Sequence, residues 1–163
     1  MNKLTKNIAF TFMLSAGFLS YAQEHIHGQG SLYIVQKENE LQLQFIIPAA
    51  DALSFEHQAT NSLQIAEQNE LIQHLKNTNQ TIHMNGECEL KKTDNSLVSS
   101  NNEHHEHHNI EVTYYFNCKT PATHFSVSLF TLMPSLTALQ VQWVNEHNQG
   151  QTKITHDKPF INW

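Results

Sequence analysis

Apolar and polar positions alternate along much of this chain, and that alternation reports strands. Ser31 to Gln36 and Leu41 to Ile47 both follow it around a polar Lys37-Glu38-Asn39-Glu40 turn, so that Leu32 and Ile34 face Leu41, Leu43, Phe45 and Ile47. Successive side chains of an extended segment point to opposite faces, so the pattern predicts a β-hairpin with one buried face. Pro48, which lacks an N–H for the ladder, ends the second strand. From Thr60 to about Lys76 the chain carries neither Gly nor Pro, and Leu63, Ile65, Ala66, Leu71, Ile72 and Leu75 form a broad apolar arc. That segment predicts a helix able to cover one face of a sheet.

Thr81 to Leu90 and Ile110 to Cys118 read as two further strands. Cys88 shares its face with Ile82, Met84 and Leu90, and Cys118 shares its face with Val112, Tyr114 and Phe116, so both sulfurs point toward the core. Between them, residues 91–109 are mostly Ser, Asn, Asp, His and Glu with too little apolar content to pack, which predicts a flexible loop. Phe125 to Met133, Thr137 to Asn145 and Gln151 to His156 alternate again, with Pro134 and Gly150 at the breaks. The expected fold is therefore α+β: a mostly antiparallel sheet with one principal helix and a long flexible His-rich loop between two disulfide-linked strands.

The first 22 residues differ from the rest. Lys3 and Lys6 make a basic start, Ile8 to Phe18 is an apolar run, and Ser20-Tyr21-Ala22 is a small-x-small cleavage pattern. This reads as a signal peptide cleaved on export, because an apolar run of about 11 residues is far short of the roughly 20 that a spanning helix needs. Residues 23–163 are then expected to form one domain in the periplasm of a Gram-negative bacterium, without membrane insertion after cleavage. An oxidising compartment favours pairing of the only two cysteines, Cys88 and Cys118, in a disulfide that stabilises by about 3 to 4 kcal/mol.

Composition narrows the function. Among 163 residues there are 15 acids, 9 lysines and no arginine, for a formal charge of -6. Such a surface excludes nucleic acid or phosphoinositide partners, which require clustered cations. The 12 histidines are the excess. Four of them fall in Glu103-His104-His105-Glu106-His107-His108, within the loop; neutral imidazole is a borderline ligand suited to Zn, Cu and Ni, and a loop lets neighbouring donors converge without a preformed cage. Ordering such a loop costs roughly 1 to 2 kcal/mol per residue, so its binding is expected to be weak and exchangeable. A second cluster, Glu24-His25-Ile26-His27-Gly28, puts His25 and His27 on one side of an extended chain, about 6.6 Å apart. His57, in Phe55-Glu56-His57, is the leading third donor for a zinc site. His74, His83, His124, His147 and His156 are scattered singly and read as bland.

HIHG, IPAADALSFEH, GECEL, a His-rich insert, YYFNC, SLFTLMPSL, LQVQWV and PFINW, in this order, resemble the ZrgA-like family of bacterial periplasmic zinc-binding, zinc-uptake proteins over essentially all of the chain after residue 22. Where that family's pattern has Gly before FEH, this chain has Ser54. The resemblance implies Zn²⁺ as the ion, a periplasmic or inner-membrane zinc importer component as partner, and metal donors at His25, His27, His57, His104, His105, His107 and His108; the neighbouring carboxylates Glu24, Glu56 and Glu106 are candidate additional ligands.

The leading expectation is a zinc-binding protein that captures or buffers Zn²⁺ and delivers it to an uptake system. A copper- or nickel-binding or metal-sequestering protein is the alternative, since copper binds imidazole more tightly in general; a mature start at Gln23-Glu24-His25 would add a square-planar nitrogen site. A zinc-dependent hydrolase is a third class, but the chain lacks both a His-Glu-x-x-His helix and a Ser-centred nucleophile elbow, and no enzyme is expected.

Overall fold

The structure is a computed structural model that describes residues 26–98 and 109–163. Residues 1–22, expected to be a signal peptide, and the expected donors Glu24, His25, His104, His105, Glu106, His107 and His108 lie outside the described residues.

Strand β1 (Gln29–Lys37) and strand β2 (Glu40–Pro48) form the expected hairpin, alternating buried and exposed positions along most of their length. Leu32 lies opposite Phe45 and Ile34 opposite Leu43, all four buried. The chain then makes one helical turn, α1 (Ala49–Ala52), and a longer helix, α2 (Ser62–Lys76). α2 starts at Ser62 rather than Thr60 because the Asn61 side chain accepts from the backbone N–H groups of Leu63 and Gln64, at 3.1 and 3.0 Å. Its apolar arc is used only at the C-terminal half: Leu71, Ile72 and Leu75 are buried, while Leu63 is 81% exposed. The buried Tyr114 hydroxyl donates to Leu75 O at 2.6 Å and fastens this end of the helix to the sheet. Burial pushes the Tyr114 phenol up to about 12.

The expected strand from Thr81 to Leu90 is instead three elements: a helical turn α3 (Thr78–Thr81), strand β3 (Ile82–Met84) and strand β4 (Cys88–Asn95). Gly86, at φ +93°, turns the chain between β3 and β4, and a Cβ there would lie 2.8 Å from Thr120 O. Ile82 and Cys88 therefore belong to different sheets and do not share a face. The loop expected over residues 91–109 is corrected at its two ends, where residues 91–95 and Asn109 are strand. β4 continues through Asn95, pairing with strand β5 (Asn109–Cys118), because its polar residues suit a sheet edge facing water. Lys91 and Lys92 pair there with Glu89 and Asp94, each at 2.7 Å.

Strand β6 (His124–Val127) ends earlier than the alternation to Met133 suggested, since Leu129 to Leu132 fold as the helical turn α4 (Leu129–Leu132). Strand β7 (Ala138–Val144), strand β8 (Gln149–Thr155) and a short strand β9 (Phe160–Asn162), which the sequence pattern did not announce, complete the chain.

Six strands form one sheet in the order β4-β5-β2-β1-β7-β8, and three form another in the order β3-β6-β9. Every pairing between these strands is antiparallel except β1 with β7. The apolar core draws on both sheets and on α2, with Phe45, Leu75, Tyr114, Phe125 and Leu139 fully buried.

Register fixes what lies at each end of the six-stranded sheet. At one end are the β1–β2 turn and the Cys88–Cys118 disulfide; the two cysteines are directly opposed in β4 and β5, and Cys118 N–H donates to Asn39 O at 2.7 Å. At the other end β1 begins beside Gly28, β2 finishes at Pro48 opposite Asn109, and β7 begins at Ala138 opposite Gln29.

Candidate metal-handling end of the sheet

Gly28 organises the second of these ends. Its backbone N–H donates to Asp51 Oδ2 at 2.6 Å, and its carbonyl accepts from Thr137 N–H and Oγ1 and from Ala138 N–H, at 2.8 to 3.0 Å. The residue is held at φ +78°, and a Cβ would meet Thr137 Oγ1 at 3.0 Å and Ser135 O at 3.3 Å, so glycine alone fits without strain. Asp51 is only 6% exposed. A buried carboxylate needs a partner, and the Gly28 amide supplies one. This clamp ties the His27-Gly28 step to α1 and hence to the segment that carries Phe55-Glu56-His57. Sequence reasoning missed Asp51; the available signal was an acid set among the small and apolar residues of Pro48-Ala49-Ala50-Asp51-Ala52-Leu53, where burial demands a hydrogen-bond partner.

His57 is exposed, yet its ring is oriented. Phe55 packs into the core and lies against it, with ring centroids 5.6 Å apart. His57 Nδ1 is 2.8 Å from Gln58 O, and because a carbonyl oxygen can only accept, Nδ1 carries the proton. Nε2 is left with a lone pair facing outward, which is how a ligating imidazole is set when its other nitrogen is hydrogen-bonded to the protein. Glu56 is exposed beside it and His27 is exposed beside Gly28. Ser54, preceding this step, donates its N–H to Glu67 Oε1 at 2.6 Å and its hydroxyl to Glu67 Oε2 at 2.7 Å, fastening the loop to α2.

The described residues do not complete a cage. Among them no three His, Cys, Asp or Glu side chains come together in an arrangement able to hold a metal, so His27, Glu56 and His57 are donors without a closed site there. Of the donors expected from sequence, only those three are described. β4 and β5, which flank the stretch that holds the other histidines, end and begin toward the same end of the sheet as Gly28, at Asn95 and Asn109. A groove of about 440 Å³ opens next to the clamp, running from Asp51 past Glu67 and Glu70 to His74.

Sheet order and disulfide define a sheet-rich, cross-linked α+β protein. Comparison with protein families gives the relationship: the model for ZrgA family zinc uptake proteins matches residues 24–163. The chain belongs to this family. No curated protein matches it. The family is one of zinc uptake.

Proposed function

We propose that the protein captures or buffers Zn²⁺ in the periplasm, after cleavage of residues 1–22, and delivers it to a zinc importer. Membership of a zinc uptake family supports the ion. The observation that carries the reading is the register: the start of β1 at Gln29, the end of β2 at Pro48 and the start of β5 at Asn109 lie at the same end of the six-stranded sheet. In the chain, His25 and His27 precede β1, His57 follows β2, and His104 to His108 precede β5. In this reading His25, His27 and His57 make the tighter site, with Glu24 or Glu56 completing the shell. His104, His105, His107 and His108, with Glu106, make a weaker, exchangeable class that collects zinc and releases it readily.

Zinc titration of the untagged mature protein by calorimetry tests this. Two classes of site are expected. Deleting residues 104–108 removes the weak class and spares the tight one, while replacing His25, His27 and His57 by Ala weakens the tight one by at least tenfold. One class of site that neither change alters refutes the division. Protein that stays empty in micromolar Zn²⁺ at neutral pH refutes the function, and a clear preference for Cu²⁺ or Ni²⁺ at buffered free concentrations transfers it to another metal.

A further inference from the structure

We infer that Glu70 and His74 on α2 form an accessory divalent-cation site on the wall of the groove that begins at Asp51. The two side chains are four residues apart and so share a helix face, with His74 Nε2 3.7 Å from Glu70 Oε1. That separation is too long for a hydrogen bond. It is near the span of two ligands on one ion: with zinc–ligand distances of about 2.0 to 2.1 Å and a tetrahedral angle, donor atoms lie roughly 3.4 Å apart.

Three features favour a cation over a plain ion pair. His74 Nδ1 lies 2.8 Å from Gln80 Oε1, so the ring donates there and turns its Nε2 lone pair toward Glu70. His74 lies in the last turn of α2, where the helix dipole is negative. The groove also carries the carboxylates of Asp51 and Glu67 and, among the described residues that line it, no lysine. Asp51 and Glu67 are already engaged with Gly28 and Ser54, which leaves Glu70 and His74 as the pair open to an ion. Two protein donors plus water hold a divalent ion weakly. Beside the clamp that carries His27, such a pair is a transit point into or out of the tighter site; only that transit role rests on the zinc-handling reading above.

Imidazole nitrogen resonances of the full mature chain, followed during ZnSO₄ titration, test the inference residue by residue. His74 Nε2 should shift saturably. Glu70→Gln should weaken that response about tenfold, and Gln80→Leu should weaken it several-fold while leaving Glu70 and the fold intact. If His27 and His57 respond while His74 does not, or if Glu70→Gln leaves the His74 titration unchanged, the accessory site is refuted and the main reading survives. If His74 responds and the other two do not, the accessory site stands and the main reading falls.

Discussion

The two ends of the six-stranded sheet are built from different interactions. One end is closed by the covalent Cys88–Cys118 bridge between adjacent strands and by the Cys118 N–H bond to the hairpin turn. The other has no covalent cross-link among the described residues and is tied by hydrogen bonds, chiefly Gly28 to Asp51 and to Thr137, with His27 exposed beside it. A cross-link limits the unfolded ensemble and takes no part in exchange, whereas a hydrogen-bonded end can admit and release an ion without breaking covalent structure. Under the proposed function, stability and metal handling fall to opposite ends, and mutations should separate them.

The largest effect is expected from the bridge. Cys88→Ser with Cys118→Ser should lower unfolding free energy by about 3 to 4 kcal/mol, measured by denaturant titration, because the bridge closes a loop with a sequence separation of 30. Zinc affinity of the tight class should change by less than about twofold at temperatures where both proteins are folded. A parallel loss of affinity would break the division between the ends. Asp51→Ala should come next. It removes the acceptor of the buried Gly28 N–H, at a cost of about 1 to 3 kcal/mol, and, unlike loss of the bridge, it should weaken tight zinc binding about tenfold by freeing the His27 step. Intact affinity in a destabilised Asp51→Ala protein would show the clamp to be purely structural.

Much of this arrangement is legible in the chain, for physical reasons that vary by element. The β1–β2 hairpin is plain because one of its faces is buried and the other is not, so alternation survives intact. The cysteine pair is plain because only one pairing exists and both residues fall on core-facing positions. β4 was hidden for the opposite reason: an edge strand can be polar on both faces, and Lys91 to Asn95 therefore resemble a loop. The break between β3 and β4 depended on one glycine, and a strand that changes sheets at a turn keeps its alternation. Leu129 to Leu132 is too short for a helical period to outweigh the strand pattern around it. At the donor end the histidines were visible as composition, but what orients them was not. Asp51, Gln58 O and Glu67 act through contacts that no spacing announces, and the scattered His74 acquires a partner only when α2 places Glu70 one turn away.

Tyr114→Phe perturbs the connection between the ends, since its hydroxyl fastens the last turn of α2, with His74, to the centre of the sheet. Loss of one buried hydrogen bond should cost about 1 kcal/mol at neutral pH. The variant should also alter the alkaline limb of the stability curve. In the unfolded chain the phenol ionises near 10, and in the folded protein only at about 12, so the unfolded state releases its proton first. The contribution is complete below pH 10 and is lost as pH rises toward 12, by roughly 2 to 3 kcal/mol in all. Urea unfolding across this range should show a shallower alkaline decline in Tyr114→Phe; identical declines would mean that the phenol is not protected by burial.

The smallest effect separates anchoring from chemistry at His57. Ser54→Gly removes the hydroxyl that donates to Glu67 Oε2 and keeps the backbone N–H that donates to Oε1. Ser54 is exposed, so its hydroxyl should contribute no more than about 0.5 kcal/mol, and tight zinc affinity should move by twofold or less. Glu67→Ala removes both bonds and should loosen the loop before Phe55 further, lowering affinity several-fold. If the backbone bond anchors the loop, serine and glycine are nearly equivalent here and only loss of the carboxylate matters. A tenfold loss of affinity in Ser54→Gly, with Glu67→Ala no worse, would instead assign the orientation of His57 to the serine hydroxyl.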